Sequence, residues 1–160
     1  MEWAALPEPK RQALLARLAE PDVAGLPEWA AAAALNAPDA GLPTARVHVA
    51  TSDVYGHLLT TGEWPPIIMA AEAGGGAQEA VRGLCILVRD TLQMTSQLET
   101  GKPERYAAVV QVLAGLKAAS LISASTETAL LALAEAPQSW AQANGIVVTD
   151  QLVGAARGGI

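Results

Sequence analysis

Phenylalanine is absent from this chain of 160 residues, and cysteine occurs once. The lone thiol, Cys85, excludes any internal disulfide, which is compatible with a reducing cytoplasm. Only four Trp and two Tyr supply aromatic bulk, so the core must come from Leu, Val, Ile and Ala. Two His and one Cys are too few for a zinc site, which draws its ligands from His, Cys, Asp and Glu in threes or fours. No metal or other cofactor is expected. The ten Lys and Arg are scattered, and sixteen Asp and Glu outweigh them to a formal charge of −6. Nucleic-acid binding needs clustered cations to displace counterions from phosphates, so no nucleic-acid partner is expected. No apolar run approaches the length of a membrane helix; Trp29–Leu35 and Trp64–Ala71 fall far short. The N-terminus has no basic stretch leading into an apolar one, so neither a signal peptide nor a membrane partner is expected.

What remains is rich in helix formers. Apolar residues make up 51% of the chain, much of it Ala. Ala and Leu favour helices, and small Ala faces let helices approach closely. The sequence predicts an all-α fold, a compact bundle of about six to eight short helices with an N-terminal helical arm. Residues 1–44 are expected to form that arm and its linker, and residues 45–160 the helical body.

Proline and glycine punctuate the chain. Pro9 suits the start of a helix reaching Glu20, with Leu14, Leu15 and Leu18 on one stripe. Pro21 ends it, Pro27 opens a second helix and Pro38 closes that one. Asp39–Ala45 has turn composition. Arg46–Ala50 alternates and predicts a short strand, for which Val147–Thr149 is the evident partner in a minimal two-stranded ribbon. Thr51 or Ser52 is expected to cap the next helix, which Gly62 ends. Pro66 then starts another, and Gly74–Gly76 reads as a hinge. Two longer amphipathic helices follow, about Ala77 to Leu98 and Pro103 to Ser120, and should form the centre of the core. Their stripes are Val81, Leu84, Cys85, Val88 and Leu92, then Tyr106, Val109, Val110, Leu113 and Leu116 or Lys117. From Leu121 to Arg157 three short helices are packed together, with Ser123, Pro137 and Thr149 as start signals and Gly145 as a stop.

Chemistry has few places to reside. Asp53 and His57 lie one turn apart on a helix face, and a carboxylate beside an imidazole is half of many acid–base sites. The same spacing equally describes a surface pair that supports a helix, and no nucleophile completes the set at a fixed spacing. A small enzyme using Asp53 and His57, with Ser52 or Ser96 brought in by the fold, is the weakest of three functional readings. His48 and His57 lack the further ligands a metal needs. Cys85, between Arg82 and Arg89, sits on an apolar helix face as a small buried hydrophobe would. The glycines at 74–76 continue into Ala-Gln-Glu-Ala and lack the Gly-Lys-Ser/Thr of a phosphate loop. Trp64 and Trp140 are expected as core anchors. Trp3, Trp29 and Leu35, with the neighbouring alanines from Ala30, are expected to contact a partner, because Trp is over-represented where protein contacts are strongest.

The runs Leu26–Trp64 and Gly115–Arg157 resemble a loose group of small Ala-rich proteins of tailed bacteriophages. The matching positions are Ala32, Ala33, Leu35 and Asn36; Thr51, Asp53 and Val54; Pro137, Ser139 and Ala141; and Val148, Thr149 and Val153. Gly74–Lys102 has no counterpart. The resemblance implies a non-enzymatic structural or accessory component of the virion, at the tail, neck or capsid surface. Such a protein would be made in the host cytoplasm, be present in multiple copies and touch other virion proteins. It implies no catalytic residues and no small-molecule ligand. The alternative is a soluble assembly factor or regulator that binds one protein partner.

Overall fold

The computed structural model describes residues 3–73 and 78–158 and is mostly helical, with ten α-helices among those residues. None of these helices is long and apolar enough to cross a membrane. The chain folds as two compact units, residues 1–44 with 137–160 and residues 45–136. The break at residue 44 falls where an arm was expected to end. The N-terminal residues, however, close on the last helices rather than standing apart, and 45–136 makes its own unit in place of a 45–160 body.

In the unit formed by the two chain ends, a 3-10 turn at Trp3–Ala5 precedes α1 (Glu8–Leu18), α2 (Pro21–Ala24) and α3 (Glu28–Asn36). Pro9 and Pro21 occupy first turns, where a missing N–H costs nothing. Pro21 thus ends α1 and also begins a further short helix. Of the helices at the other end of the chain, α9 (Trp140–Ala143) opens with a capping box between Ser139 and Gln142. It closes at Gly145, whose φ of +59° permits bonds from Gly145 N–H to the Gln142 carbonyl and from Ile146 N–H to the Ala141 carbonyl. Thr149 Oγ1 then accepts the Leu152 N–H to start α10 (Asp150–Gly158).

Leu6, Leu14, Leu18, Val23, Leu35, Leu152 and Val153 are the main core residues of this unit. Long-range polar bonds join its halves, among them Lys10 Nζ to the Gly145 carbonyl at 2.7 Å and the clamps of Asn36 and Arg157. Asn36 Nδ2 donates to the carbonyls of Ala32 and Val148, both at 2.8 Å. Arg157 donates to the carbonyls of Leu26 at 2.7 Å and Val23 at 3.0 Å, which end the α2 turn. Val147–Thr149 is therefore no strand: Val148 is buried with its carbonyl held by Asn36, and Thr149 is a helix cap.

The unit of residues 45–136 contains α4 (Thr51–Thr60), α5 (Trp64–Glu72), α6 (Glu79–Met94), α7 (Pro103–Ala118) and α8 (Ala124–Leu133). Four strands of two residues tie them together. Strand β1 (Ala45–Arg46) pairs antiparallel with β4 (Glu135–Ala136), and β2 (Val49–Ala50) with β3 (Gln97–Leu98). The expected single strand is broken at Val47, whose N–H goes to the Ala134 carbonyl and whose carbonyl accepts the Thr100 hydroxyl. Pairing of Gln97 and Leu98 also ends α6 earlier than its periodicity suggests. The expected hinge at 74–76 and the expected helix start at Ala77 lie outside the described residues.

Thr51 and Ser52 do not cap α4. Ala50 holds the cap position, and the buried Thr51 instead donates its hydroxyl to the Thr95 carbonyl at 2.7 Å, tying the start of α4 to the end of α6. Helix α4 ends in a Schellman motif at Gly62 (φ +74°), with Glu63 N–H bonded to the Leu58 carbonyl. Helix α5 begins at Trp64, with both prolines inside its first turn. The core here holds Leu58, Trp64, Ile67, Cys85, Leu113, Leu116 and Leu130. Of the stripe expected on α6, only Cys85 is fully buried; Val81, Leu84, Val88 and Leu92 are half-covered. At Gly115 a Cβ would lie 2.8 Å from Leu84 Cδ2, so this glycine lets α7 approach α6 closely.

Candidate contact residues and apolar cavity

Helix α3 sorts the three expected contact residues onto different sides. Its buried face carries Ala31, Ala32 and Leu35. Leu35 is 0% exposed, which removes it from any contact surface. Trp29 is 70% exposed. Six residues of an α-helix turn about 240° past a full revolution, so Trp29 and Leu35 cannot share a face. That spacing was available in the sequence, whereas which of the two faces outward is given by the burial. Trp3 lies between these extremes, partly covered and packed on the core that contains Leu6. Trp140 is also packed partly on that core, and Trp64 is an 8% exposed anchor of the other unit, with Tyr55 edge-on at 5.1 Å.

The residues with potential chemistry stay separate. Asp53 is exposed and His57 half-buried on α4, and no hydrogen bond or ion pair joins them among the described residues. His57 Nε2 is shielded from solvent and has no hydrogen-bond partner among the described residues. Ser96 uses its carbonyl to accept the Thr51 N–H. His48 Nδ1 accepts the Gly101 N–H at 3.3 Å, with the ring packed on that glycine. Burial pushes the Cys85 thiol up, which disfavours the thiolate a nucleophile needs. The flanking arginines are engaged locally, Arg82 with Glu79 at 3.4 Å and Arg89 with Asp90 at 2.9 Å. Among the described residues, no group of three or more His, Cys, Asp and Glu could hold a metal ion.

A concave feature lies within residues 45–136. It is a half-open cavity of about 860 Å³ between α4, α6, α7, α8 and β3. Leu58, Leu116 and Leu130 line it with almost no exposed area of their own, whereas Leu87 and Met94 are 54% and 81% exposed. Polar residues concentrate where α6 gives way to β3 and α7: Thr95, Ser96, Gln97, Glu99 and Arg105. The hydrophobic periods of α6 and α7 identify which faces are apolar but not how completely neighbours cover them, so the cavity left no local signal. Comparison with protein-family models, with curated proteins and with solved structures finds no match for this chain.

Proposed function

We propose that this chain is a non-enzymatic structural or accessory component of a tailed bacteriophage virion, acting by protein–protein contact. The observation that carries the contact role is Trp29, a large apolar ring 70% exposed on a helix whose other face is anchored by Leu35. Rigid aromatic groups presented this way are typical anchors of protein interfaces. The phage setting rests on the resemblance. Its matching positions serve the scaffold: Leu35 and Val153 in the core, Ser139 and Thr149 as caps, Asn36 as a clamp. A likeness at such positions is one of architecture and carries no catalytic residues.

Mass spectrometry of density-gradient-purified particles tests this function. The chain should band with particles at a fixed ratio to the major capsid protein. Recovery only at the top of the gradient would overturn the virion role and leave the soluble assembly factor as the better reading.

A further inference from the structure

We propose that the cavity of residues 45–136 binds a single-chain amphiphile with an acidic head, of the fatty-acid class, its tail along α7 and its head at Arg105. This departs from the expectation that no small molecule binds, and it stands apart from the virion role. Three features of the cavity carry it. The first is volume: about 860 Å³ lies within the range of roughly 300–1,000 Å³ usual for small-molecule pockets.

The second is length with polarity. Helix α7 lines the cavity from Arg105 to Leu116, which at 1.5 Å per residue is about 16 Å. An extended chain advances roughly 1.3 Å per bond, judged from the 3.8 Å spanned by three backbone bonds, so about twelve carbons fit. Polarity changes along that path. Along α7 the lining runs from Arg105 through Ala108, Val109, Val112 and Leu113 to Leu116, charged at the first position and apolar after it. A wholly apolar ligand would leave the first end unused, and a compact polar one the second.

The third is charge. Among the lining residues only Glu99 and Arg105 are ionic. Lys102 Nζ engages Glu99 at 2.8 Å, while Arg105 meets Glu99 only through Nε at 3.8 Å. The Arg105 side chain is 67% exposed, and its terminal nitrogens make no hydrogen bond among the described residues. A guanidinium presents such nitrogens as a fork that matches a carboxylate.

The test is calorimetric titration of the full chain, prepared without detergent, with dodecanoate, dodecanol and dodecyltrimethylammonium below their micellar concentrations. Wild type should bind one dodecanoate per chain. Val109→Trp fills the middle of the cavity and should weaken binding at least about tenfold. Ala108→Trp, at an exposed lining position, provides the same obstruction if the first variant does not fold. Arg105→Gln should weaken dodecanoate about fivefold or more and leave dodecanol unchanged. Absence of saturable binding, or binding indifferent to a folded Trp variant, would overturn the site. Equal uptake of the cationic amphiphile, or no effect of Arg105→Gln, would overturn the acidic head.

Discussion

The carboxylate of Glu63 accepts the backbone N–H of Ser123 at 2.8 Å, across 60 residues of chain. Glu63 lies between α4 and α5, and Ser123 caps α8, so one side chain joins three helices. Burial alone would raise the Glu63 pKa. Hydrogen bonds from Thr126, from the Ser123 backbone and side chain, and from Thr61 outweigh it and hold the carboxyl below its usual value. A carboxyl depressed in the folded state stabilises the fold above its unfolded value and loses that contribution as pH falls through the folded one. Glu63→Gln should therefore cost about 1 kcal/mol at neutral pH, the difference between a charged and a neutral acceptor. Urea unfolding at stepped pH should show the gap between wild type and variant closing below the usual value near 4.5. A gap that is constant with pH would contradict this account.

Trp29 and Leu35 should separate stability from association. Trp29→Ala removes an exposed ring, and stability should move by about 0.5 kcal/mol or less. Incorporation into particles should drop. Leu35→Ala opens a void in the core and should cost about 2–5 kcal/mol. If Trp29→Ala assembled normally, that residue would not be a contact anchor.

Arg157 holds the carbonyls of Leu26 and Val23 through two guanidinium nitrogens. Arg157→Met keeps much of the side-chain bulk and removes the donors. The loss should be about 1–3 kcal/mol, because the hydrogen bonds are charge-assisted. Chemical denaturation of the two proteins in parallel measures it.

Gly115 and Leu84 should behave as a coupled pair, since a Cβ at position 115 would press on Leu84 Cδ2. Gly115→Val should destabilise by about 1–3 kcal/mol through overpacking. Leu84→Ala in the same chain should recover part of that loss. Strict additivity of the two substitutions would show that the helices do not meet there.

Cys85 is 0% exposed, and burial disfavours its thiolate. A thiol reagent should therefore react with the native protein only as fast as it opens, and at once in denaturant. Rapid labelling of the folded chain would place the thiol on the surface instead.

Helix ends were the most legible part of the fold, because their signals are local. Ser123, Gly62, Gly145 and Thr149 mark termini as their chemistry suggests. Ser120 carries no such signal: with φ at +59° it closes α7 in a role glycine usually fills. The two-residue strands were harder, since so short a stretch shows almost no alternation and Val47–His48 interrupts the pattern. The alanines of α3 make its two faces look alike in composition, so the different fates of Trp29 and Leu35 show only in the helical angle between them and in their burial. The half-covered stripes of α6 and α7 look alike in sequence whether they meet a neighbour or line a cavity.

Because one unit is built from residues 1–44 and 137–160, its halves leave the ribosome far apart in time. Synthesis of the intervening 45–136 segment takes on the order of ten seconds. During that interval α1 and α3 have no α10 to cover Leu14, Leu18 and Leu35, whereas everything needed by the 45–136 unit has already been made once Ala136 is added. The order of translation therefore favours completion of the later-starting unit first and leaves the nascent N-terminal helices as the stretch most in need of protection from aggregation.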